Sequence, residues 1–261
     1  MSDHSERISD YLQLIVAPNP GPMTLDGTNT WIVGDPRIAA PVVVDPGPLD
    51  EDHVETILAS CSERVASVVL THRHHDHSAA AAEVAQRGGG GVRAADPTFQ
   101  RGPDGLFDHD VIPVAGAQLR VYATPGHTSD SVSLVLTGED GVTRLLTGDM
   151  VLGRGTTVIT YPDGDLAAYF RSLAVLELLV ADQVIAEICP GHGPRVDRPG
   201  ERLAYYRRHR AERLDQIRAA LDAGDRTAAE VVERVYGAVD PAIRPAAEQS
   251  VIAQLHYLAR R

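Results

Sequence analysis

THRHHDHS, residues 71–78, places four histidines and one aspartate in eight positions directly after the apolar run SVVL at 67–70. An apolar, β-branched run that ends in a polar turn predicts a strand whose C-terminal end carries a site. His72 and His74 alternate by two, which sets both imidazoles on one side of extended backbone. Asp76 and His77 follow as the chain turns into an alanine-rich helix. A borderline cation such as zinc takes imidazole nitrogen and carboxylate oxygen. Four such donors in six residues close much of its shell at little cost in loop entropy. His75 is out of phase with His72 and His74 and is expected to point away. Arg73 is expected to be a packed or solvated neighbour.

Three later positions have the same setting. His127 in ATPGHTSDS, Asp149 in LLTGDM and His192 in CPGHGP each follow a β-like run and are flanked by turn formers. Strand ends that meet in one place would bring these three to the first four, giving seven donors: His72, His74, Asp76, His77, His127, Asp149 and His192.

Strands are predicted at 12–17, 29–34, 41–45, 67–72, 118–125, 131–138, 142–149 and 182–191. The early ones are able to form hairpins. The helical stretches are LDEDHVETILASC, HSAAAAEVAQR and the strongly apolar DLAAYFRSLAVLELLVA, so the chain reads as α/β. From Pro199 the pattern becomes almost pure helix, which divides the chain into 1–198, carrying the site, and a helical module over 199–261. That module reads as three helices, with Asp225 or Thr227 capping the second. GGGG at 88–91 reads as a helix stop and flexible link.

With 261 residues the chain is long enough to bury a full core. Its formal charge of −12 argues against an open basic surface that grips nucleic acid by phosphate neutralisation alone. All 24 cationic side chains are arginine. Without lysine there is no Walker-type phosphate loop, no Schiff base and no lysine general base. Cys61 and Cys189 are too few for a disulfide framework. The N-terminal stretch carries no signal-like apolar block and no segment has the length of a membrane span, so a cytoplasmic location is expected. His53 and His109 read as surface groups, and Cys189 as a buried thiol rather than a ligand.

The donor pattern H-x-H-x-D-H with His127, Asp149 and His192 resembles the metallo-β-lactamase superfamily, and the motifs extend over about residues 29–194. The resemblance implies an αββα sandwich whose strand-end loops carry a binuclear metal site. His72, His74 and His127 would hold one metal, Asp76, His77 and His192 the other, and Asp149 would bridge them. Asp45 in VVVDPG matches the aspartate that braces such a site from behind. GPMTLDGTNTWIVG, DLAAYFRSL, CPGHGP and Y-x-x-H-R-x-x-R (Tyr206, His209, Arg210, Arg213) narrow the likeness to the beta-lactamase-like protein 2 branch. Its animal member is a single-strand endoribonuclease, and it carries a C-terminal winged-helix-like module. Here the pattern ends at Arg261, where a wing would follow the third helix, so no wing contact is expected.

The implied activity is that of a binuclear-zinc hydrolase, with iron or manganese as alternative metals. Two cations about 3.5–4 Å apart make hydroxide from water near neutral pH, and Asp76 orients it or receives its proton. The substrate is a small molecule or single-stranded RNA, through phosphodiester or ester and thioester chemistry. Competing readings are a glyoxalase II-like thioester hydrolase, an iron-dependent enzyme like the persulfide dioxygenases, and a nucleic-acid-binding protein whose metal is structural. A homodimer is compatible with all of them. The basic helix RLAYYRRHRAER is either a solvated face or an anion clamp, in which Tyr206, His209 and Arg210 reach over the site. The resemblance favours the clamp.

Overall fold

The β-branched runs form strands that gather into two sheets. In the computed structural model, which describes residues 5–237 and 243–260, one sheet contains β1 (Ser5–Ser9), β2 (Leu12–Val16), β3 (Asn29–Val33), β4 (Val42–Val44), β5 (Ser67–Val69) and β6 (Gly91–Arg93), side by side in chain order. β1 to β4 pair antiparallel, while β4, β5 and β6 are parallel. The other sheet contains β7 (Val111–Val114), β8 (Ala117–Ala123), β9 (Val132–Gly138), β10 (Thr143–Gly148) and β11 (Ile185–Pro190), in the order β11-β10-β9-β8-β7. Only the β10–β11 pair in it is parallel.

Side chains alternate across each strand, so each sheet has an inner and an outer face. Leu14, Trp31, Val42, Val44 and Val69 meet Leu119, Val121, Leu134, Leu136 and Leu146 in the core between the sheets. Their neighbours Ile15, Ile32, Val43 and Val68 face outward onto α1 (Glu51–Ser60) and α3 (Ala81–Gly88). On the far side Val135, Leu145 and Ile188 pack under α4 (Leu166–Asp182). The result is helix, sheet, sheet, helix, with β4 buried on both faces, as a purely apolar VVV run requires.

α5 (Pro199–Asp222) carries apolar residues at helical spacing. Leu203, Tyr206 and Leu214 join the α4 core, and Ile217 and Ala220 join a smaller core with α6 (Ala228–Tyr236) and α7 (Arg244–Ala259). Thr227 caps α6 in a reciprocal arrangement with Glu230. Asp225 instead pairs with Arg234. Among the described residues no strand follows β11, and no helix is long and apolar enough to cross a membrane. The third helix of the module is expected from the sequence over 241–261, and of it Pro241, Ala242 and Arg261 lie outside the described residues.

Several local expectations need correction. Strands β1, β6 and β7 are additional. HSAAAAEVAQR is broken into α2 (His75–Ser78) and α3, because the Ala80 N–H leaves the helical ladder to bond the Gly47 carbonyl at 3.1 Å. GGGG is a stop but not a loose link: Gly89 terminates α3 at φ 80°, and a Cβ on Gly88 would lie 2.5 Å from Val65. His53 is buried rather than on the surface, with Nε2 3.1 Å from Thr30 Oγ1, and burial pushes its pKa down to about 4. His109 is exposed, and both cysteines are buried free thiols.

Candidate metal centre

The loop after β5 is held by Asp45, which sits at the end of β4 with a left-handed φ of 51°. Its carboxylate accepts from Thr71 N–H (2.7 Å) and from the Thr71 hydroxyl (2.6 Å), and lies 2.9 Å from His77 Nδ1. Since the Thr71 hydroxyl donates to Asp45, it is free to accept from His72 Nδ1–H at 3.0 Å. His72 and His77 therefore carry their protons on Nδ1 and turn Nε2 inward. Similar partners fix two more tautomers. His127 Nδ1 donates to the Val158 carbonyl at 2.8 Å, and His192 Nδ1 donates to the Gly27 carbonyl at 3.1 Å.

The inward nitrogens converge. His74 Nδ1 lies 3.1 Å from His72 Nε2 and 3.0 Å from His127 Nε2. Three ligands about 2.0–2.1 Å from a tetrahedral cation would be about 3.3 Å apart, so this spacing is that of a coordination shell. Beside it, His77 Nε2 and His192 Nε2 lie 3.1 Å apart, with Asp76 Oδ2 3.2 Å from His192 Nε2 and 3.7 Å from His77 Nε2. Asp149 reaches both groups: its oxygens lie 3.6 Å from His127 Nε2, 3.4 Å from His77 Nε2 and 3.5 Å from His192 Nε2. The seven expected donors stand together. His75 is exposed, and Arg73 pairs with Asp96 and Asp163.

The electrostatics fit cations. Burial pushes His72, His74 and His127 below the ordinary imidazole range, His127 to about 4, so three neutral rings aim lone pairs at one another. Burial also opposes charge on His77 and His192. The Asp149 carboxylate overrides it, helped by Asp45 for His77 and by Asp76 for His192, raising His77 well above its usual value and His192 to about 9. Burial would raise both aspartates too, but His192 and His77 hold Asp149 well below the carboxylate range and Asp76 at about 2. Asp149 Oδ1 is buried with no hydrogen-bond partner, a costly state that a cation would relieve. The residues therefore fit two cations, with His72, His74 and His127 grouped at one position and Asp76, His77 and His192 at the other.

Glycines make the room. A Cβ on Gly191 would lie 2.6 Å from Asp149 Oδ1 and 2.8 Å from the His77 ring, and one on Gly148 (φ 49°) would lie 2.4 Å from Thr71 Oγ1. Sequence reasoning did not assign Thr71, Asn29 or the Val158 carbonyl. Asn29 anchors the His192 loop through Pro190 O (2.9 Å) and Gly193 O (2.8 Å). Both side chains sit inside the quoted motifs, where their positions were the available signal. A backbone acceptor such as Val158 has no residue-type signature.

The model of the metallo-beta-lactamase superfamily matches residues 23–192, most of the chain. The chain belongs to the metallo-beta-lactamase superfamily. The model of the beta-lactamase associated winged helix domain matches residues 227–261. Among similar proteins, a beta-lactamase-like protein 2 homolog from Caenorhabditis elegans is 33% identical over 98% of this chain and 86% of its own length. An atrochrysone carboxyl ACP thioesterase from Aspergillus chevalieri is 32% identical over 90% of this chain and 76% of its own. Among solved structures, a metallo-beta-lactamase family protein from Thermus thermophilus superposes with a TM-score of 0.79 at 23% identity, covering 97% of this chain and 95% of that one. The chain is thus a superfamily hydrolase with an attached winged-helix-type module.

The expected clamp is altered. Residues 203, 206, 210 and 214 share one face of α5, and that face is the buried one. Tyr206 is fully buried, and its hydroxyl accepts from Leu152 N–H at 2.8 Å instead of reaching over the donors. Arg210 is 4% exposed and donates to the Thr157 carbonyl. His209 is half-buried on the adjoining face.

Proposed function

We propose that this protein is a binuclear-metal hydrolase of esters or thioesters, with zinc as its metal and the seven clustered donors as its ligands. The observation that carries the reading is the buried Asp149 carboxylate set between two groups of inward-facing imidazoles, with Oδ2 3.6 Å from His127 Nε2 and 3.5 Å from His192 Nε2 and with Oδ1 lacking a hydrogen-bond partner. The mixture of imidazole nitrogen and carboxylate oxygen suits zinc, with iron and manganese next. When bound, two such cations supply Lewis acidity and a water acidified to near-neutral pKa. The chain's own residues supply the rest. Asp45 and Thr71 fix the tautomers of His72 and His77. Asp76, ionised at about 2 and the most exposed of the ligating carboxylates at 31%, orients the attacking water and takes its proton.

Thioester chemistry is favoured over phosphodiester cleavage on two grounds. One is the likeness to an ACP thioesterase at 32% identity. The other is that three arginines of the loops and helix around the donors are already engaged. Arg73 pairs with Asp96 and Asp163, Arg154 with Asp26, and Arg202 donates to the Leu152 and Gly155 carbonyls. An extended polyanion such as RNA would find few free cations there.

The test is to assay zinc-loaded protein with an acyl thioester, a phosphodiester and a single-stranded RNA, each with and without chelator, alongside elemental analysis. Thioester turnover abolished by chelation supports the reading. Chelator-sensitive cleavage of RNA with none of thioester overturns the substrate class. Asp76→Ala should fold normally and lose turnover by about 100-fold or more. Undiminished turnover in the metal-replete variant removes Asp76 from proton transfer.

A further inference from the structure

A cavity lies beside the metal centre, where α5, α6 and α7 meet the segment 156–158. Its cationic side is made by Arg210 and Arg213, with His209 beside them, and its apolar side by Met23, Tyr236 and Ile243. The shared wall is Thr157 and Val158, whose other face holds His127: Val158 O accepts from His127 Nδ1, and Thr157 Oγ1 lies 3.1 Å from the same atom.

The cationic side is chemically unfinished. Arg210 is 4% exposed, and its Nε is buried with no hydrogen-bond partner. His209 Nδ1 is likewise buried and unpartnered. Arg213 donates to the Val235 carbonyl at 3.3 Å and stacks on Tyr236, its guanidinium carbon 4.2 Å from the ring centroid. Among the described residues no carboxylate pairs with any of the three, whereas Arg207 on the same helix is matched to Glu177. Burial and the two guanidiniums push His209 below the usual imidazole range, so at neutral pH it is an uncharged ring able to donate one hydrogen bond. A buried guanidinium without a counter-ion is costly, and an anion with several acceptor oxygens is the group that would satisfy it.

Size and lining narrow the ligand. The cavity is about 230 Å³, below the roughly 300–1,000 Å³ that encloses a whole drug-sized molecule. It takes one end of a ligand, and Tyr236, Met23 and Ile243 favour an apolar or planar stem beside the charge.

We propose that this cavity binds the anionic end of the substrate, a carboxylate or a phosphate monoester on a short apolar or planar stem. The assignment rests on the ester or thioester hydrolase reading, and it accounts for Arg210, which is 4% exposed with an unpartnered Nε. Recognition of a single anion, not of a polyanion, is what such a site provides.

Calorimetric titration of the metal-loaded protein with phenyl phosphate, benzoate and neutral benzamide tests it. Binding of phenyl phosphate alone identifies a phosphoryl end, and binding of benzoate alone or of both identifies a carboxylate-accepting site; either supports the proposal if benzamide fails to bind. Arg213→Gln should weaken that binding by about tenfold or more. Ala246→Phe, which fills the half-buried edge of the cavity without removing charge, should do the same. Anion binding unchanged in both variants would place the probe on the metals and overturn the proposal, as would binding of benzamide equal to that of benzoate. On an anionic thioester that the enzyme turns over, the probe that binds should raise KM and leave kcat unaltered; no rise in KM removes the substrate assignment. The titrations do not depend on turnover, so a failed hydrolase reading and a failed anion site give different results.

Discussion

Replacing Asp45 by Asn changes a single atom's character, because Asn tolerates the left-handed φ of 51° and keeps the side-chain shape. Asn Oδ1 still accepts from Thr71 N–H, now made at 2.7 Å. The amide nitrogen, however, takes the place of the oxygen that serves both the Thr71 hydroxyl (2.6 Å) and His77 Nδ1 (2.9 Å). It can only donate. Thr71 must then turn its hydroxyl proton towards His72 Nδ1, and both His72 and His77 are driven to the tautomer with hydrogen on Nε2. That is the nitrogen each ring presents to the metal. Loss of such supporting partners weakens metal binding by about 10–100-fold, or about 1.4–2.7 kcal/mol. Competition for zinc against a chromophoric chelator measures it, with circular dichroism confirming the fold. Zinc affinity within twofold of wild type would show that Asp45 does not set these tautomers and would refute the reasoning.

Gly191→Ala should reduce bound metal by displacing Asp149 and His77, which a Cβ would approach to 2.6 and 2.8 Å; full stoichiometry by elemental analysis would contradict this. Tyr206→Phe should cost about 1–3 kcal/mol in urea unfolding, since Leu152 N–H loses its buried acceptor, while zinc affinity stays the same; unaltered stability would show that another acceptor replaces the hydroxyl. Metal uptake at pH 7 should release protons. His77, well above its usual value, and His192, at about 9, face each other through Nε2 at 3.1 Å, so the metal-free pair holds a proton there that must leave before both can ligate. Binding should weaken as pH falls, and the calorimetric enthalpy should differ between buffers of unlike ionisation enthalpy; identical enthalpies would count against those shifts.

The donors were legible because ligand chemistry is written in residue types. Few side chains supply imidazole or carboxylate, and turn formers around His127, Asp149 and His192 marked strand ends. The strands and the α/β class followed from runs such as VVV at 42–44, which is buried on both faces, whereas the αββα sandwich came from the resemblance that the donor motifs carry. Elements stabilised by pairing alone were not visible. β1 is polar along SERIS and β6 is the three residues GVR, both held by neighbouring strands rather than by an apolar pattern. The orientation of α5 was misjudged for a related reason. Tyr206 and Arg210 are amphipathic enough to read as surface groups, and only the core stripe from Leu203 to Ile217 shows which way they face. His53 was misread similarly, as its polar sequence neighbours conceal the buried contact with Thr30.

α5 serves two cores at once, and this bears on any attempt to shorten the polypeptide. A fragment ending before Pro199 would leave Leu152 N–H and the Thr157 carbonyl without the groups that now satisfy them, and would bare the apolar flank of α4. The segment that steadies the His127 ring would lose its backing. Grafting the two sheets alone onto another scaffold would thus carry every donor across and still forfeit their alignment.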